Sequence, residues 1–141
     1  MDWSMALSDL NYWAVAVATL ASFPIGMAWY SMAMFGKTWM KEAGLSKKDV
    51  ENKDEMMKAM VHSAVAAFIS TVTLGALILA TGTNEAIDGA LFGALVGFGI
   101  AMTTQARHDA FSQKSITLTR INGAFDIVTL AVVGAILAAW M

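Results

Sequence analysis

The sequence predicts an all-α membrane protein, a compact bundle of four transmembrane helices with a short polar helix between the first two spans. Three observations carry that prediction. Tyr12 to Phe35 contains no charged residue, and about 20 apolar residues are enough to cross a bilayer as a helix. Only 14% of the chain is charged while 57% is hydrophobic, against roughly a quarter charged in a soluble domain. The polar residues collect in two segments, 36–58 and 107–117, which separate the apolar runs. A length of 141 residues suits one membrane domain.

Residues 1–10 read as a polar lead with Trp3 at the interface. A signal peptide does not fit, because Asp2 and Asp9 stand where a basic segment would be needed. The first span is expected over residues 11–34. Its Ala14, Ala18, Ser22 and Gly26 recur every fourth residue, and such small stripes let membrane helices approach closely. Pro24 removes a backbone donor and crowds the carbonyl four residues back, which predicts a kink near Leu20–Pro24. The span ends in Trp29-Tyr30 and then Phe35-Gly36-Lys37-Thr38-Trp39, a composition suited to the membrane–water interface.

Segment 36–58 alternates six lysines with five acids and is expected to be a cytoplasmic connecting helix. Gly44 can stop a first turn, and Ser46-Lys47-Lys48-Asp49 resembles a capping box opening a helix to about Met57. Lys47–Glu51, Asp49–Lys53 and Asp54–Lys58 have the spacing of helical ion pairs. The second span is expected over residues 59–81, with Ser63, Ala67, Thr71 and Gly75 as its stripe. Gly82 then ends a helix, and Thr83 or Asn84 caps the next. In the third span, residues 85–106, Gly89, Gly93, Gly97 and Ala101 give the strongest packing signal, two GxxxG units in register. Each glycine in a helix is worth about 0.8–1 kcal/mol less than alanine, so close helix contact is the natural compensation. The fourth span is expected over residues 118–141, with Ala131, Ala135 and Ala139 as its stripe.

All 9 lysines and arginines fall in the 37–58 loop and the 107–120 segment. Short basic loops stay in the cytoplasm, so both termini and the 82–88 turn are expected outside the inner membrane. A net charge of −2 argues against a nucleic-acid partner. The chain has no cysteine, which removes thiol catalysis and thiolate metal sites. Phosphate-cradling and nucleophile-elbow motifs are also missing, so neither enzymatic activity nor a cofactor is expected. The 11 methionines read as packing filler rather than as metal ligands.

The pieces Asn11-Tyr12-Trp13-Ala14-Val15, Gly26-Met27-Ala28-Trp29-Tyr30, Phe35-Gly36-Lys37-Thr38-Trp39 and Gly44-Leu45-Ser46, with Asn122 and Gly134 in the last span, resemble a known family. These are small four-span bacterial membrane proteins grouped as a domain of unknown function, number 1761 in that series. The resemblance covers nearly the whole chain and implies a membrane location and four helices. It brings no activity and no catalytic residues. That family often has a tyrosine–histidine pair after the asparagine of the last span, where this chain has Phe125-Asp126.

The ionisable residues nearest the membrane lie at one level: His62, Arg107, His108 and Arg120, with Asn122 and Asp126 opening span four. Asp126 stands roughly 7–8 Å beyond Ile121 along a helix. Intramembrane acids are expensive and are functional candidates by default. Asn122, Asp126 and Thr129 share one helix face. Three readings remain open: a structural pair of Asp126 with Arg107, Arg120 or His62; a site for a small solute, ion or proton; and a lipid-headgroup site framed by Trp29 and Tyr30. The expected role is a non-catalytic interaction protein in contact with membrane lipids, self-associating or joining other membrane subunits. Gly26, Gly75, Gly89, Gly93 and Gly97 would be its packing residues, and Trp29, Tyr30 and Trp39 its interface aromatics. A small transporter or channel built from several copies around Asp126 is the alternative.

Overall fold

The computed structural model describes residues 3–141, apart from the side chains of Trp3 and Met5, so the interfacial placement expected of Trp3 lies outside the described side chains. The described residues are helical or in turns, with no strand. After a short α1 (Trp3–Ser8) comes α2 (Tyr12–Trp29), opened by Asn11, whose side chain accepts from the backbone N–H groups of Trp13 and Ala14. The helix runs on through Pro24 and ends at Trp29, five residues before the expected limit of 34. Four helical stretches are long and apolar enough to cross a bilayer: Tyr12–Trp29, Lys53–Thr81, Ala86–Phe111 and Ile116–Trp140. The chain is therefore an integral membrane protein.

The polar segment is not one helix. Helix α3 (Gly36–Ala43) stops at Gly44, whose left-handed φ of 70° suits glycine. Helix α4 (Lys47–Val50) has the expected capping box at Ser46 and Asp49 but is only one turn long. Asp49 accepts from both the hydroxyl and the N–H of Ser46, which holds its carboxyl below the ordinary value of 3.8. Asn52 then starts a new helix by accepting from the N–H groups of Asp54 and Glu55, so the reach from Ser46 to Met57 is broken. The resulting α5 (Lys53–Thr81) joins the end of the polar segment to span two without interruption. The break also places Asp49 and Lys53 on different helices. Of the expected ion pairs Lys47–Glu51 forms at 3.6 Å, whereas Lys58 turns to Glu55 at 2.7 Å instead of Asp54.

Gly82 ends α5 at φ 66°, as expected. The next N-cap is Glu85 rather than Thr83 or Asn84; the Thr83 hydroxyl meets that of Thr81 at 2.8 Å. Helix α6 (Ala86–Val96) passes into a π-helical segment, Gly97–Met102, and then α7 (Thr103–Phe111). Residues 107–111, expected in a polar loop, are thus the last turns of span three. The final helix is α8 (Ile116–Trp140), capped by Ser115.

Packing centres on α8, which α6 and the π segment line most extensively and α2 next. The glycines decide the α6–α8 contact. A Cβ on Gly93 would collide with the Leu130 carbonyl, and one on Gly89 with the backbone at Gly134. Backbones this close gain dispersion contacts that lipid cannot match. The matching surface of α8 is Ile127, Leu130, Gly134 and Ala138; of the expected alanine stripe only the Ala131 backbone takes part, and Ala139 is exposed. On α2 the small stripe does face inward, with Ala14, Ala18 and Ser22 buried.

The buried core gathers at the end of the bundle away from the lysines, where Leu10, Val15, Leu74, Ile78, Val133 and Leu137 meet. Asn11 Nδ2 ties that end by donating to the Trp140 carbonyl at 3.0 Å. At the lysine-bearing end α5 is uncovered. Thr71 and Gly75 of its stripe are buried, but Ser63 is exposed, as are Val61, Val65, Phe68 and Ile69.

Candidate intramembrane polar site

Helices α7, α8 and the end of α2 build one polar assembly at the lysine-bearing end. The turn between α7 and α8 is held by Asp109, only 8% exposed. Its two carboxylate oxygens accept from Gln105 Nε2 at 2.9 Å and from the Thr119 hydroxyl at 2.7 Å. A buried carboxylate needs such donors, because desolvation without them is costly. This bracket aligns the first turns of α8 with the last turns of span three.

The end of α2 docks on the next turn of α8. Trp29 Nε1 donates to the Ile121 carbonyl at 3.1 Å, and the Tyr30 hydroxyl donates to Asn122 Oδ1 at 2.9 Å. Rings surround these bonds: Trp29 lies 4.7 Å from Phe35, and Tyr30 lies 5.2 Å from Phe125 and 5.3 Å from Trp39. Centroid spacings in this range are attractive for tilted and edge-on pairs. Gly26 faces the Phe125 ring, but a Cβ there would stand 3.5 Å from it in ordinary van der Waals contact, so this position does not require glycine.

One turn deeper sits Asp126, half-buried and within electrostatic reach of the Tyr30 phenol. Among the described residues it makes no ion pair and no hydrogen bond. Three residues further on, the Thr129 hydroxyl is buried and has no hydrogen-bond partner. The backbone behind both is pressed against the π segment: a Cβ on Gly97 would stand 2.7 Å from Ile127 Cα and 3.1 Å from the Asp126 carbonyl. Gly123 leaves the matching space for the Met102 side chain. Single π turns inside α-helices recur at functional sites.

The structural pairing considered for Asp126 does not occur among the described residues. Arg107, His108 and Arg120 are exposed. Arg120 precedes Asp126 by six residues, which places it about 120° away around the helix. His62 is exposed on α5, where its Nδ1 lies 2.8 Å from the Lys58 carbonyl of its own helix. Of the six candidate residues, the structure therefore brings Asn122 and Asp126 to one place and leaves His62, Arg107, His108 and Arg120 on the surface. Tyr30 joins the pair as Asn122's donor, a role its interfacial composition did not indicate. The Asp109 bracket is likewise not announced by the sequence. Gln105 and Asp109 carry a readable i,i+4 signal, but nothing in the sequence points Thr119 at them. Among the described residues no three His, Asp or Glu side chains gather as metal ligands.

Fold and site together define a four-span helical membrane protein whose last span carries a carboxyl group, that of Asp126, with no ion-pair partner among the described residues. The family of proteins of unknown function designated DUF1761 matches residues 13–138. The chain belongs to that family. No curated protein and no solved structure matches it.

Proposed function

We propose that the protein is a non-catalytic membrane carrier or channel subunit that takes up a proton or small cation at Asp126. One observation carries this reading: Asp126 lies within a membrane-spanning helix near Tyr30, Asn122 and Thr129, with no countercharge and no donor among the described residues. A carboxyl group in that setting is stable when a proton or cation neutralises it, which makes occupancy its natural working cycle. The distribution of lysine and arginine supports an orientation with the site toward the cytoplasm and both termini outside the inner membrane. Asp126→Asn keeps the shape and removes the charge. In liposomes it should reduce proton- or cation-linked flux to background with unchanged helicity and melting temperature. Flux equal to that of the unaltered protein overturns the reading.

Self-association is a second reading, favoured by the uncovered half of α5. Val65, Phe68 and Ile69 are 55%, 48% and 58% exposed beside the small residues Ser63 and Ala67. That face offers the close approach which membrane helices use to dimerise. Since the chain has no cysteine, Ser63→Cys supplies a unique thiol. In native membranes treated with a mild oxidant, which takes up the two electrons, it should form a disulfide-linked dimer, and an exclusively monomeric product counts against this interface.

A further inference from the structure

The segment after span one builds a groove that its mixed charges do not announce. A Cβ on Gly36 would collide with the Tyr30 and Ser31 carbonyl oxygens, so glycine lets α3 fold back tightly on the end of α2. Trp39 of α3 holds this position through its ring contact with Tyr30. Helix α3 is thereby fixed where the chain leaves the apolar run, at the membrane boundary. Lys37, Met40 and Lys41 share one face of it at helical spacing. The left-handed turn at Gly44 then brings Leu45 and Lys47 across that face.

The result is a groove of about 510 Å³ lined by Met32, Lys37, Met40, Lys41, Leu45 and Lys47. Its lining combines three apolar side chains with three lysines, and is mostly apolar in surface. Lys47 is engaged with Glu51 at 3.6 Å through exposed side chains. Lys37 and Lys41 have no ion-pair partner among the described residues. A free inorganic anion would use the amines and leave the apolar walls wet, and an uncharged hydrocarbon would bury unpaired amines. An anion joined to an acyl chain satisfies both, and the membrane boundary is where such molecules reside.

We infer that this groove binds an anionic phospholipid, with the phosphate among Lys37, Lys41 and Lys47 and the adjoining acyl segment on Met32, Met40 and Leu45. The inference does not depend on the role of Asp126. It is tested on the full chain in mild detergent, equilibrated with mixed phosphatidylglycerol and phosphatidylcholine, with retained lipid read by native mass spectrometry. Phosphatidylglycerol should be retained in preference. Lys37→Gln with Lys41→Gln should lower that retention by on the order of tenfold, while Lys37→Arg with Lys41→Arg preserves it. Lys53→Gln with Lys58→Gln makes the same charge change outside the groove and should leave retention intact. Equal retention of the two lipids, or an equal loss in the Lys53/Lys58 variant, overturns the inference. Displacement of the lipid by millimolar inorganic phosphate also overturns it, assigning the groove to the free anion.

Discussion

Gly93→Leu should prevent the bundle from forming, not merely loosen contacts between copies. The smallest addition at this position already strikes the Leu130 carbonyl, and the Ala131 amide nitrogen is 3.1 Å from the added atom. Backbone cannot move aside as a flexible side chain can, so α6 and α8 would have to separate along their whole contact. Overpacking in cores typically costs 1–3 kcal/mol and occasionally more; the loss here is expected at about 3 kcal/mol or above. Thermal unfolding in detergent, followed by circular dichroism and size-exclusion chromatography, measures it. Gly99→Ala is the matched control, because nothing lies within 4 Å of its added Cβ; its effect should stay within about 1 kcal/mol. A Gly93→Leu protein that melts like the unaltered one would show that the glycine stripe is not the α6–α8 contact. A stripe of this kind suggests assembly of several chains, yet this one is consumed within a single chain.

The second large effect is expected at Asp109. Replacing it with alanine leaves the Thr119 hydroxyl without its carboxylate and frees Gln105 as well, at the turn that sets the register of α7 against α8. Hydrogen bonds to charged groups are worth about 1.5–3 kcal/mol each, and an orphaned buried donor adds its own desolvation. A loss of about 2–4 kcal/mol follows. The Thr119 hydroxyl keeps a partial alternative at the Ser115 carbonyl, 3.3 Å away, which limits the damage. Denaturant unfolding of Asp109→Ala, Thr119→Val and the double variant separates the terms. The double variant should be less destabilised than the sum of the single ones, and strict additivity would mean that the two side chains are not coupled. Because Trp29 and Tyr30 dock on the next turn of α8, the same variant should increase the fluorescence mobility of the aromatic cluster.

Much of the architecture is legible from the chain alone, and the reasons are local. Apolar runs long enough for a bilayer need no partner to be recognised, since lipid is their solvent. Gly44 and Gly82 declare helix ends because their left-handed conformation is open to glycine and strained for other residues. The Ser46 and Asp49 cap is a four-residue affair and is readable as such. The spacing of Gly89, Gly93 and Gly97 announces that something approaches closely. It does not say what, because on the complementary surface of α8 only Gly134 and Ala138 are small, while Ile127 and Leu130 look like any lipid-facing residues.

The site divides along the same line. The sequence determined that Asp126 lies inside a span, that Asn122 shares its face, and that cations stand nearby at the same level. Only the tertiary structure decided that those cations point away, that Tyr30 and not an arginine reaches Asn122, and that a π turn lies behind the carboxylate. Charge and depth along a helix are properties of one strand of chain, whereas partnership depends on how helices rotate about their axes. That rotation is set here by Gly89, Gly93 and Gly97 meeting the carbonyls of Gly134, Leu130 and Asp126 on another helix, a relation which no local pattern encodes.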